Sequence, residues 1–209
     1  MFFCTLKITM KVKPIYIFLT LSVMGLLFTL ANTPKISAYE MLEEQSQSSN
    51  DDYNMMMDVL THQRCMNCHP SDNIPKQGDD SHPHYFGMAR GKDDHGFEAT
   101  NCNTCHQSEN NLNSGVPGAP HWALAPASMA WEGLTRQEIA ERLLDKNTNG
   151  NRSHEELVEH MTEDDLVLWA WEPGIRANGE QRTLPPVSKE DFKKAVENWF
   201  ANGAVIPSK

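Results

Sequence analysis

One five-residue pattern constrains this 209-residue chain more than any other feature, and it occurs twice: Cys65-Met-Asn-Cys68-His69 and Cys102-Asn-Thr-Cys105-His106. Two thiols three positions apart on a helical turn can meet one edge of a flat ring. The histidine that follows projects beneath that ring. This is the arrangement for covalent haem attachment, in which the thiols add to two vinyl groups and the imidazole binds iron from the proximal face. With five Cys and nine His in the chain, composition alone gives about 0.005 chance matches per chain. Two other readings use the same cysteines, a four-cysteine zinc site and a redox disulfide. Zinc pairs usually lie about 15–20 residues apart, and the stretch from Cys68 to Cys102 is much longer than that. A thioredoxin-like motif needs a βαβ setting, and no strand pattern of that kind is present. Two haem c groups are therefore expected, on Cys65 with Cys68 and on Cys102 with Cys105, with His69 and His106 as proximal iron ligands.

The segment between His69 and Cys102 is too short to give each motif an independent core. The haems are expected to lie close together in one domain. Each iron takes a second axial ligand if it only carries electrons, or keeps an open position if it catalyses. His84 and His121 are the favoured distal candidates. Each follows a proline and precedes an aromatic residue, and the offset from His69 to His84 equals that from His106 to His121. Met129 is the weaker alternative, and His62, His82, His95, His154, His160, Met88 and Met161 complete the candidates. Which haem His84 and His121 serve is left open.

The N-terminus carries Lys7, Lys11 and Lys13 ahead of an apolar run over residues 15–31, interrupted by Thr20, Ser22, Gly25 and Thr29. This reads as a secretory signal peptide spanning residues 1–38, either cleaved after Ala31 or Ala38 or retained as a membrane tether. The expected location is the periplasm, with the protein soluble or N-terminally anchored. The formal charge is −10. Removing residues 1–38 takes away four lysines and no acid, which leaves 14 basic against 28 acidic residues, or −14. Such a balance argues against nucleic acid and steers basic partner surfaces towards the protein.

Residues 39–53 are polar and acidic and are expected to form a flexible linker. Residues 54–209 are expected to form a single dihaem domain whose C-terminal third is helical. Residues 70–101 and 110–126, rich in Gly and Pro, read as loops. Capping-box patterns at Thr135-Arg-Gln-Glu138 and Ser153-His-Glu-Glu156 precede apolar stripes. Ser188-Lys-Glu-Asp191 opens a last helix whose Phe192, Val196 and Trp199 share a face. The expected fold class is all-α and cytochrome c-like, with short helices and long loops around two closely spaced haems.

Further segments add a likeness: Thr61-His-Gln-Arg-Cys-Met-Asn-Cys-His-Pro70, Gln77-Gly-Asp-Asp80, Gly118-Ala-Pro-His-Trp122, Met129-Ala-Trp-Glu-Gly133, Leu157-Val-Glu-His-Met161 and Leu166-Val-Leu-Trp169. Over residues 55–203 the chain resembles the small exported dihaem proteins labelled isoquinoline 1-oxidoreductase subunit. Gly179-Glu-Gln-Arg182 looks like a small insertion relative to them. The resemblance implies an electron-transfer partner of a molybdenum hydroxylase, passing electrons to a downstream acceptor of the respiratory chain. The chain has no recognisable molybdopterin site of its own, so catalysis by this polypeptide is not implied. The competing function is a dihaem redox enzyme, such as a peroxidase with one open haem.

Overall fold

A computed structural model describes residues 37–208. The signal segment expected over residues 1–38 lies almost wholly outside the described residues. The chain falls into two compact units, Met1–Glu43 and Glu44–Lys209, and the site belongs to the second. Among the described residues no helix is long and apolar enough to cross a membrane.

The first described helix, α1 (Ala38–Leu60), replaces the expected linker over residues 39–53. Its start is a capping box: Ser37 Oγ accepts from Glu40 N and Glu40 Oε2 accepts from Ser37 N. Its later turns are held from outside. Asp52, Tyr53, Met56, Met57, Val59 and Leu60 are buried at helical spacing. Tyr53 packs against Trp199, and Asn198 donates to Asp52. Acidic composition suggested a solvated coil, and burial against residues near the far end of the chain overrides it.

Four helices follow: α2 (Gln63–Met66), α3 (Arg136–Leu144), α4 (His154–Glu163) and α5 (Asp165–Leu168). The last is α6 (Lys189–Ala201). Full capping boxes start α3 at Thr135 and Glu138, and α4 at Ser153 and Glu156. Helices α4 and α6 pack on each other. Met56, Met57, Val59, Ile139, Leu157, Phe192, Val196 and Trp199 form the fully buried centre. Cys65 and Met66 pack against its edge, so the first motif rests on the helical core.

The fold class is not all-α. Strands β1 (Lys76–Gln77) and β2 (His82–Pro83) pair antiparallel, as do β3 (Gly96–Phe97) and β4 (Thr100–Asn101). A bridge also joins Ile175 and Gln181. The described chain is a mixed fold of helices, two short hairpins and loops. Strands this short show no alternation in sequence. Tight turns make them possible. Gly78, in the turn between β1 and β2, sits at φ +78°, where a Cβ would fall 2.6 Å from Asp80 Oδ1. The loop around Gly179-Glu-Gln-Arg182 is tied in as well: Arg182 donates to the carbonyls of Pro173, Ile175 and Gly115.

Candidate haem-binding site

The first motif is delivered by α2 and the turn that continues it. Cys68 N donates to Cys65 O at 3.1 Å and His69 N to Met66 O at 3.0 Å. The second sits on a 3-10 turn, Cys102–Thr104, capped by Asn101, whose side chain accepts from Asn103 N. There His106 N donates to Cys102 O at 2.9 Å. Both motifs therefore present two cysteines and a histidine from one turn. All four cysteines are free thiols. Burial pushes the Cys65 thiol up to about 12 and the Cys68 thiol up to about 11, and the latter also feels Cys102. Burial raises Cys102 as well. Thiols held protonated in this way are poor partners for disulfide exchange. Among the described residues no group of three or more His, Cys, Asp or Glu side chains is arranged to cage a bare ion.

The two motif histidines share one device. His69 Nδ1 lies 2.6 Å from Met129 O, and His106 Nδ1 lies 2.8 Å from Pro117 O. A carbonyl only accepts, so Nδ1 carries the proton and Nε2 keeps its lone pair for a metal. Burial depresses His69 to about 4 and lowers His106, each against the pull of its carbonyl. Both rings are neutral at pH 7, the form that binds metal. Each is also clamped by a parallel indole, His69 by Trp131 at 3.5 Å and 8°, and His106 by Trp122 at 4.4 Å and 3°. Aromatic contacts then run back towards the first motif. Trp122 meets Trp169 edge-on at 4.9 Å, and the Arg64 guanidinium lies 6.0 Å from the Trp169 ring. Arg64 immediately precedes Cys65.

The distal candidates separate. His84 lies opposite His106, with ring centres 6.0 Å apart and planes at 72°. Its Nδ1 donates to Tyr85 O at 2.8 Å, which leaves its Nε2 free. Two imidazoles on opposite faces of one metal, with metal–nitrogen bonds of about 2 Å, place their ring centres about 6 Å apart. His121 is exposed at φ +56° and makes no ring contact with either motif. Met129 supports His69 from its own side: its carbonyl accepts a hydrogen bond from Nδ1, while its side chain packs in the core. Sequence reasoning did not single out the clamping role of Trp122 and Trp131, although both follow the motifs in aromatic-containing segments.

Unpartnered polar atoms gather at the same place. Among the described residues, buried side-chain atoms without a hydrogen-bond partner are Asn67 Oδ1, Arg90 Nε, His95 Nδ1, Trp131 Nε1 and Asp52 Oδ2. Four of these five surround the motifs. Asn67 lies within the first, and Trp131 is stacked on His69. Arg90 donates to the carbonyl of Ala125, whose N–H bonds Cys68. His95 accepts from Cys102 N through its carbonyl. Buried polar atoms are normally satisfied, so this concentration fits residues arranged around a polar-edged group. No family model, curated protein or solved structure matches this chain.

Proposed function

We propose that this chain is an exported dihaem c-type cytochrome that carries electrons. The observation that carries the proposal is the pair of Cys-x-x-Cys-His turns, each with its histidine Nδ1 fixed on a carbonyl and Nε2 left bare. Cys65 and Cys68 would hold one haem, and Cys102 and Cys105 the other. His69 and His106 would be the proximal ligands, and His84 the distal ligand facing His106. The bound iron supplies one-electron chemistry. The chain's own part is to hold the imidazoles in one tautomer and clamp their planes against tryptophans. An iron held by His106 and His84 would offer no position to peroxide, which supports the carrier reading for that haem.

The resemblance adds a partner, a molybdenum-containing hydroxylase upstream, with a respiratory acceptor downstream. The expected charge of −14 for the chain without residues 1–38 suits docking onto a basic partner surface. The periplasm is the proposed location.

Intact mass after acid extraction tests attachment, and the proposal requires the mass of two haems to remain. His84→Ala should convert one of the two irons from low-spin to high-spin, read by electron paramagnetic resonance and optical spectra. An unchanged low-spin pair would remove His84 from the site. Carbon monoxide binding to the reduced wild type would move the peroxidase reading ahead.

A further inference from the structure

His69 lacks the counterpart that His84 provides for His106. We propose that His160, on α4, is the second axial ligand of the iron bound by His69. The inference rests on the dihaem reading and adds a ligand that neither the motif nor the proline-histidine pattern indicated.

Hydrogen bonding narrows the choice. A ligating histidine needs one ring nitrogen tied to an acceptor and the other bare. His62 fails, because its Nδ1 accepts from Arg64 N. His82 fails, because Asp80 and Gln77 engage both its nitrogens. His154 sits edge-on to Phe200 in the first turn of α4. His95 is bonded through its carbonyl to the second motif, and its Nδ1 has no partner. His121 is exposed and untethered. His160 meets the requirement: its Nδ1 lies 3.2 Å from Asp164 Oδ2, and its Nε2 is bare. Asp164 is itself fixed, because its other oxygen caps α5 through Leu166 N at 2.9 Å.

Position agrees with hydrogen bonding. Met161, the next residue, belongs to the buried cluster that contains Trp131, the residue stacked on His69, and that Cys65 borders. His69, His84, His106 and His160 then share one design. Each ties Nδ1 to a carbonyl or carboxylate and keeps Nε2 bare.

The test uses the full exported chain carrying His160→Ala, with haem stoichiometry taken from intact mass. Two haems should remain attached. One iron should turn high-spin and bind carbon monoxide, and added imidazole should restore the low-spin spectrum. The double variant with His84→Ala should open both irons. If His160→Ala matures poorly, His160→Met should keep both irons low-spin and raise the potential of one, because methionine ligation raises it. Two low-spin irons in His160→Ala, or loss of a ligand in His121→Ala instead, would overturn the assignment. Failure of the underlying reading is distinct: the wild type itself would then carry no covalent haem.

Discussion

At Gly118 the second motif leaves no room for a side chain. A Cβ there would fall 2.2 Å from Glu109 O and 2.4 Å from Gln107 O. Its N–H donates to Asn110 Oδ1, and the neighbouring Pro117 carbonyl accepts a hydrogen bond from His106 Nδ1. Gly118→Ala should cost about 1–3 kcal/mol by overpacking. It should also alter the signal of one low-spin iron and leave the other unchanged, as read by denaturant unfolding and paramagnetic resonance. A stability loss with both signals intact would separate the loop from ligand positioning. His84 and His121 show how far single residues could be read from sequence. Both have proline before and an aromatic after, at the same offset from a motif. The structure brings only His84 to a motif histidine, because the two motifs rest on unlike supports. One sits on a helix against the core, the other on a 3-10 turn held by loop carbonyls. Equal spacing along the chain therefore does not mean equal placement.

Helix α2 is held by charge as well as by packing. Arg64 is buried and reaches Asp79 at 2.5 Å, which also binds Arg176 and the Thr183 hydroxyl. Burial of Asp79 opposes ionisation, but the Thr183 hydroxyl and the two guanidinium groups outweigh it and hold the carboxyl below its usual range. A carboxyl depressed in the folded state contributes stability that is complete above its unfolded value, about 3.9. That contribution is lost as pH falls through the lower folded value. Asp79→Asn should therefore cost about 2 kcal/mol at pH 7, since it leaves a buried guanidinium short of its anion. The gap to wild type should narrow as pH falls below about 4. Thermal unfolding of both proteins across that range checks this, and a gap independent of pH would contradict it. At this scale the capped helices α3 and α4 were legible, because a capping box is local. The helicity of residues 39–53 was not, because Tyr53 and Asp52 gain their partners from α6.

The buried cluster draws on α1, residues 129–134, α3, α4, α6 and the end of the chain. Residues 67–124 contribute none of its members among the described residues. The segment between the motifs and just beyond them must therefore be ordered by hydrogen bonds, short hairpins and, on the proposed reading, the haems. A chain with all four motif cysteines replaced by alanine should keep amide exchange protection in α1, α4 and α6. Over residues 70–124 protection should fall by about tenfold or more. Hydrogen exchange with mass spectrometry reads both regions in one experiment. Uniform loss everywhere would mean that the helical core has no stability of its own.

Features that depend on neighbours along the chain are legible in the residues alone. The Cys-x-x-Cys-His spacing, the capping residues of α3 and α4, the apolar face of α6 and the acidic balance all act within a few positions or through composition. Features that depend on distant partners arise only once the chain has folded. Folding paired short strands that no alternation could announce, and turned an acidic stretch into helix by burying one side of it. It also set His84 across from His106, left His121 exposed, and placed Trp122 and Trp131 flat against the motif histidines. The reason is physical. A helix cap or a thiol pair is completed by the next turn of chain. The Trp131 ring, stacked at 3.5 Å on His69 from a distant part of the sequence, takes its place only once the whole core has closed.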